Sequence, residues 1–145
     1  YGNLGKWDKA IADYSKAIEI DPQYAIGFIN RGVAYGNLEK WDKALADYSI
    51  AIDLDPKNNI AYFNRGIANG NLGHWDKAVA DYSNVGIDPN YAKAYYYRGI
   101  AYGNLGQEDK ARADYSRAIA IDPKFTNVYY NRSNAYRKPE SGGNR

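Results

Sequence analysis

The chain has 145 residues, of which 45% are hydrophobic, 15% aromatic and 25% charged, and its formal net charge at pH 7 is +2. It contains no Cys and one His, His74, which excludes disulfides, thiolate metal sites, Cys nucleophiles and sites that need two imidazoles. No apolar run approaches the roughly 18 residues that a membrane-spanning helix needs. We therefore expect a soluble protein without a metal or cofactor, and we take the cytoplasm as its default compartment.

A fixed period dominates the sequence. The tetrapeptide Ala-Asp-Tyr-Ser occurs at 12–15, 46–49, 80–83 and 113–116, with spacings of 34, 34 and 33 residues. Pro follows Asp in the same phase at positions 22, 56, 89 and 123. A fixed period of about 20–50 residues indicates a repeat architecture. The shorter last spacing places a one-residue deletion within Ser83–Asp88.

Each repeat predicts two helices joined by a short turn. The first helix, as in Ala25–Asn37, is amphipathic and ends at Asn-Leu-Gly, where Gly5, Gly73 and Gly106 suit the left-handed conformation that closes a helix. Glu39 takes this place in the second repeat, which we expect either to cost up to about 1 kcal/mol or to change the turn. The second helix begins near Trp-Asp-Lys-Ala and ends before Asp-Pro, because the residue before a proline disfavours the α region.

In chain order, the phase gives a half-repeat, three full repeats, a second half-repeat and a tail: 1–24, 25–58, 59–91, 92–125, 126–138 and 139–145. Tyr1–Gly5 falls in register with the end of a first helix, and Thr126–Arg137 with a first helix that has no following partner. A local bend or looser packing is predicted between the third and fourth repeats, where Asn69 replaces Tyr, Glu108 replaces Trp and Gly86 falls in the shortened helix. The tail, which is rich in Gly and polar residues, is predicted to be disordered.

The repeats resemble the tetratricopeptide repeat (TPR), a family of 34-residue helix-turn-helix units. The family signature of a large aromatic, Gly, Tyr, Ala, an aromatic, Ala and Pro is met twice: by Phe28, Gly32, Tyr35, Ala44, Tyr48, Ala51 and Pro56, and by Tyr95, Gly99, Tyr102, Ala111, Tyr115, Ala118 and Pro123. The resemblance covers residues 1 to about 137. It implies an all-α, right-handed superhelical solenoid of antiparallel helix pairs, and a module that binds another protein.

The charged residues fall in repeated columns. A catalytic carboxylate pair should be a local exception with two unlike environments, so we predict a protein that is not an enzyme. The 19 basic and 17 acidic residues are interleaved, whereas nucleic-acid binding needs a clustered positive surface; we expect no nucleic-acid or membrane partner. Charges in a packed interface need partners, and an Arg–Asp ladder is predicted from two columns of equal period: Arg31, Arg65, Arg98 and Arg132, and Asp13, Asp47, Asp81 and Asp114.

In TPR proteins the first helices line a concave groove that holds extended peptides or helices. The resemblance places these residues there: Ile26, Ile29, Asn30, Val33, Ile60, Phe63, Asn64, Ile67, Lys93, Tyr96, Tyr97, Ile100, Tyr130 and Asn131. Because a large exposed apolar surface usually marks a partner site, we expect a hydrophobic or aromatic-rich peptide or helix as the ligand.

Asn residues form two columns in these helices. The first, Asn30, Asn64 and Asn131, is suited either to bond the backbone of a bound peptide or to satisfy local groups. The second, of Asn3, Asn37, Asn71 and Asn104, is expected to satisfy helix-end groups.

Some family members grip the C-terminal carboxylate of chaperone tails with a clamp of Lys, Asn and Arg. That clamp would place Lys at position 29, Asn at 33 and 64, Lys at 93 and Arg at 97 in this chain. Only Asn64 and Lys93 match, and a clamp requires charges that converge on one carboxylate. A chaperone tail is therefore not an expected partner.

The alternative hypothesis is a self-assembling module. Tyr136 and Tyr1 occupy equivalent columns, so the closing half-repeat of one copy can complete a repeat with Trp7–Ile20 of the next. Such a head-to-tail contact is heterologous and gives open chains or rings of copies. The candidate self-association residues are Tyr1, Trp7, Tyr129 and Tyr136.

Overall fold

The structure is a computed structural model that describes residues 2–85, 91–124 and 131–132, with side chains from residue 5 onward. Within these ranges the chain is all-α, as predicted. Its helices are α1 (Gly2–Ile20), α2 (Ala25–Asn37), α3 (Trp41–Leu54), α4 (Asn59–Asn71), α5 (Trp75–Val85), α6 (Ala92–Asn104) and α7 (Glu108–Ile121). The predicted tail, 139–145, lies outside the described residues.

The contacts divide the chain into two compact units, Tyr1–Gly73 and His74–Arg145. In the first unit α1 packs on α2, α2 on α3 and α3 on α4, and α2 also contacts α4. In the second unit α5 packs on α6 and α6 on α7. The division falls between the two helices of the third predicted repeat. Looser packing between the third and fourth repeats and the bounds of the half-repeats stay predictions.

Proline sets the ends of the second helices, as expected. Asp55 and Asp122, which precede Pro56 and Pro123, leave the α region with φ −143° and −134°. Gly86, within the predicted deletion, lies outside the described residues.

The turn predicted at Gly5 does not form. Gly5 lies inside α1, and among the described residues φ is positive only at Glu39, Gly73 and Gly106. The backbone amides around Gly5 are satisfied by the continuous helix.

Glu39 adopts the left-handed conformation instead of forcing a new turn. Its φ is 59°, against 77° for Gly106 at the same place in the fourth repeat. The hydrogen bonds also match: the N–H of Lys40 donates to the carbonyl of Tyr35, and that of Gln107 to the carbonyl of Tyr102, both at 2.9 Å. The turn is thus kept, with a side chain in a region that L-residues rarely occupy.

The helices of each pair approach closely where Gly faces Tyr. A Cβ added at Gly32 would lie 2.5 Å from Cε1 of Tyr48, and one added at Gly99 would lie 2.5 Å from Cε1 of Tyr115. Both Tyr rings are buried. The small Gly therefore fixes the distance between α2 and α3 and, separately, between α6 and α7.

Candidate functional site

The predicted Arg–Asp pairs form inside both compact units. Arg31 donates from Nε and Nη2 to the two carboxylate oxygens of Asp47, at 2.8 Å each. Arg98 holds Asp114 in the same way, at 2.7 Å each. Both carboxylates are buried, and their hydrogen bonds raise the pKa of the two guanidinium groups. The charges of Arg31 and Arg98 are thus paired with buried carboxylates and serve packing.

The same Arg residues also reach back to the preceding helix. Arg31 donates from Nη1 to Oγ of Ser15 on α1, and Arg98 to Oγ of Ser83 on α5, at 3.1 Å in both cases. Sequence reasoning missed these Ser partners. Their signal was present, because the Ser of Ala-Asp-Tyr-Ser repeats in the same phase as the Arg column.

An aliphatic surface lies on α2 and α4, two first helices that contact each other in the first compact unit. Ile26, Val33 and Ile60 are 48%, 36% and 60% exposed. Asn30 is exposed, and Asn64 and Ile67 are half-buried. The α4 residues repeat the α2 residues 34 positions later. We call these residues the aliphatic surface: Ile26, Asn30, Val33, Ile60, Asn64 and Ile67.

Two residues predicted to contact a partner are instead part of the core. Ile29 and Phe63 are only 6% and 9% exposed. Each precedes the Asn of its helix, Asn30 or Asn64, by one residue, which is about 100° around the axis. On α2 and α4, the apolar side chains that a partner can contact are therefore those of Ile26, Val33 and Ile60.

The second unit carries a tyrosine surface on α6, formed by Lys93, Tyr96, Tyr97, Ile100 and the nearby Asn131. Lys93 is exposed and the other four are half-buried. The rings of Tyr96 and Tyr97 meet edge to face, with centroids 5.1 Å apart. Asn131 donates from Nδ2 to Oη of Tyr96 at 3.0 Å. Burial raises the pKa of Tyr96, and this hydrogen bond opposes the rise.

Two further tyrosine rings pack against the tyrosine surface. Tyr82 stacks on Tyr97 with centroids 6.1 Å apart, and Tyr115 lies 6.2 Å from Tyr96. Both supporting rings are buried, and burial raises their phenol pKa above its ordinary value. The positions of the half-buried Tyr96 and Tyr97 rings are therefore fixed by packed neighbours.

The second Asn column has the local role expected of it. Asn37, Asn71 and Asn104 each donate from Nδ2 to the carbonyl four residues earlier, at 2.9 Å in all three cases. The side chain of Asn3 lies outside the described residues. In the first column, the side-chain amide of Asn131 donates a hydrogen bond to Tyr96, and Asn30 is exposed to solvent.

Most of the candidate self-association residues cannot be placed. Tyr1, Tyr129 and Tyr136 lie outside the described residues, as does Tyr130 of the predicted groove. Trp7 is half-buried on α1.

The described part of the chain offers little that suits another kind of site. His74 is exposed. No group of three or more His, Cys, Asp or Glu side chains comes together there in a way that suits a metal ion. Within the same residues, no helix is long and apolar enough to cross a membrane.

The helix pairs repeat the same bidentate Arg–Asp pair and the same close Gly–Tyr contact. These features define an all-α helical-repeat protein. A family model described as TPR repeat matches residues 1–38, and one described as tetratricopeptide repeat matches residues 25–58 and 92–125. The chain belongs to the tetratricopeptide repeat family. This fold mediates protein–protein interaction and typically serves as a non-catalytic scaffold.

Solved structures agree with this assignment. A crystal structure of MamA is 28% identical with a TM-score of 0.90, over 94% of this chain and 80% of that one. The first TPR of Spaghetti (RPAP3), bound to the HSP90 peptide SRMEEVD, is 26% identical with a TM-score of 0.79, over 83% and 96%. The Arabidopsis OM64 TPR domain is 26% identical with a TM-score of 0.77, over 79% and 95%. No curated protein matches the chain in sequence.

Proposed function

We propose that this chain is a non-catalytic interaction module that binds a hydrophobic or aromatic-rich peptide or helix. The aliphatic surface carries this proposal, because Ile26, Val33 and Ile60 stand exposed in register on two contacting helices. Fully burying an aliphatic side chain contributes about 1.5–3 kcal/mol. Covering the exposed half of one such side chain then contributes about 1 kcal/mol, or roughly fivefold in affinity.

The polar groups of the two surfaces are suited to orient the ligand. Asn30 is exposed and can donate and accept at once, as the backbone of an extended peptide requires. In the second unit, Tyr96 and Tyr97 offer aromatic contact area whose geometry is already set by Tyr82 and Tyr115. Preset side chains lose little conformational entropy when a partner binds.

The RPAP3 neighbour holds an HSP90 peptide, and we expect this chain not to bind that peptide. Three of the five clamp positions carry Ile29, Val33 and Tyr97, which offer no charge to a terminal carboxylate. The peptide SRMEEVD is thus a negative control for the selectivity of the module.

A random peptide library tests the proposal. Peptides selected on the purified chain should be rich in apolar and aromatic residues, and Val33→Asp should weaken their binding at least tenfold in fluorescence polarisation. Ile50→Asp is the matched control, because Ile50 is 39% exposed, close to the 36% of Val33, but lies on α3. Equal losses for both variants, or selected peptides without apolar residues, would overturn the proposal.

Self-assembly is the second candidate function, favoured by one observation on α1. Tyr14 is only half-buried, whereas its equivalents Tyr48, Tyr82 and Tyr115 are buried. Light scattering across a wide concentration range tests this function: molar mass should rise with concentration, and Tyr129→Glu should lower it. A constant mass of 16.3 kDa would reject it.

A further inference from the structure

The two Asn columns of the first helices differ in their hydrogen bonds. Asn37 and Asn71 donate to the carbonyl four residues earlier. Within the described part of the chain, the side chains of Asn30 and Asn64 make no hydrogen bond of this or any other kind. Asn30 is exposed and Asn64 is half-buried, so a ligand can reach both amides. Both belong to the aliphatic surface.

Each of these amides is flanked by aliphatic residues on its own helix. On α2, Ile26 and Val33 lie four residues before and three residues after Asn30, and α4 has the same arrangement 34 residues later. Residues at i, i+4 and i+7 share one face of a helix, and the outer two are about 10.5 Å apart along the axis. The aliphatic surface therefore repeats a stripe of apolar, amide and apolar side chains on two contacting helices.

The length of this stripe favours a helical ligand over an extended one. An extended chain advances about 3.4 Å per residue, and its side chains alternate between two faces. Three residues then span the distance from Ile26 to Val33, so the side chains at the two ends point in opposite directions. A helix covers the same distance in seven residues and returns to the same face. A helix that lies along the stripe thus places an apolar side chain at both of its ends.

The charged side chains of α2 and α4 are engaged away from the aliphatic surface. Each helix contains one charged residue, Arg31 or Arg65, and no acidic residue. Arg31 is paired with Asp47, and Arg65 donates to Oγ of Ser49 at 3.3 Å. A charged group of a ligand would be buried here without a partner of opposite charge, which is strongly unfavourable. The complementary face of the ligand is therefore uncharged.

We propose that the aliphatic surface binds an amphipathic helix whose binding stripe is uncharged and carries one Asn or Gln between two apolar residues seven positions apart. This inference rests on the proposed interaction function and specifies its ligand. The main chain of a helix is already hydrogen-bonded within the helix, so its side chain must bond Asn30 and Asn64. An amide suits this role because it donates and accepts at once. One polar residue in an apolar seam fixes the register of packed helices.

Two synthetic peptides of three heptads test this ligand class. They share a helix-forming sequence with Leu at the outer stripe positions and differ only in the middle position, which is Asn in one and Leu in the other. Each is made with the middle residue three or four positions after the first Leu, so that both chain directions are covered. In fluorescence polarisation the wild type should bind the Asn peptide at least tenfold more tightly, because Leu leaves the amides of Asn30 and Asn64 buried without a partner.

Two protein variants and a third peptide are the controls. The double variant Asn30→Leu with Asn64→Leu should reverse the preference in favour of the Leu peptide. Asn104→Leu makes the same substitution on α6 and should leave the preference unchanged. The Asn peptide with two prolines on the face opposite its stripe keeps the stripe side chains but not the helix, and should bind at least tenfold more weakly.

The outcomes distinguish this ligand class from the proposed function. Equal or tighter binding of the Leu peptide by the wild type, an unchanged preference in the double variant, or full binding of the proline peptide would overturn the helical ligand with its central amide. If neither peptide binds while apolar peptides from the random library do, the helical ligand is rejected and the interaction function stands. A library that yields no apolar peptides overturns both.

Discussion

The hairpin of α2 and α3 and the hairpin of α6 and α7 are built on one plan, and each lies in a different compact unit. Both hold a bidentate Arg–Asp pair, at 2.8 Å in the first and 2.7 Å in the second. Both place Gly against a buried Tyr so tightly that a Cβ would lie 2.5 Å from the ring. The contacts that set the spacing of the two helices are therefore duplicated.

The two hairpins differ at the turn that joins their helices. In the first, Trp41 packs against α2, with its ring 3.0 Å from a Cβ added at Gly36. In the second, Glu108 takes the place of Trp41, and a Cβ added at Gly103 meets nothing within 4 Å. The turn residue also changes, from Glu39 to Gly106. The repeat thus keeps its helix-to-helix contacts and varies the packing of its turn.

Loss of the Arg should have the largest effect, and a similar one in both hairpins. Arg31→Leu leaves the buried carboxylate of Asp47 without its bidentate partner, and we expect about 3 kcal/mol of destabilisation, since breaking a buried ion pair costs about 3–5 kcal/mol and Arg31 is partly exposed. Arg98→Leu should match it. Denaturant unfolding of the two variants measures both values.

The double variant Arg31→Leu with Asp47→Leu is the control. Removing both charges leaves no buried ion, so most of the lost stability should return. A double variant as unstable as Arg31→Leu would show that the pair acts through side-chain packing and that charge plays no part.

Replacing Gly with Ala should have opposite effects at two positions of α6. Gly99→Ala drives a Cβ into Tyr115 and should destabilise the chain by about 2 kcal/mol, within the usual range for overpacking. Gly103→Ala meets open space and should stabilise by about 0.5–1 kcal/mol, because Ala is the better helix former. Thermal unfolding resolves the two signs, and a shared sign would contradict the geometry of this hairpin.

The sequence predicted these duplicated contacts because partners with a common period must meet in every repeat. It predicted that the Arg column pairs with the Asp column, without saying which Asp each Arg holds, and it named the small residues that let helices approach. It misplaced Ile29 and Phe63, because periodicity gives the direction of a side chain from its helix and not the size of the neighbours that cover it. It also expected a turn at Gly5, where the helix α1 is continuous.

Restoring Trp in the second hairpin should make it resemble the first. Glu108→Trp replaces a side chain whose buried Oε1 has no hydrogen-bond partner among the described residues and fills the space beside Gly103. We expect about 1.5 kcal/mol of stabilisation from the added apolar burial. In this background Gly103→Ala should lose its benefit, because the new ring occupies the space; simple additivity of the two changes would contradict this account.

The smallest difference lies in the turn residue. Glu39 holds a φ of 59°, and Gly106 holds 77° with the same hydrogen bonds. Glu39→Gly should therefore stabilise the first hairpin by about 0.5–1 kcal/mol, since Gly takes left-handed φ without steric cost. Gly106→Ala should destabilise the second by a similar amount, because its Cβ has open space and only the backbone is strained. Thermal unfolding of each variant measures the strain, and equal stability of Glu39→Gly and the wild type would mean that the Glu side chain makes compensating contacts.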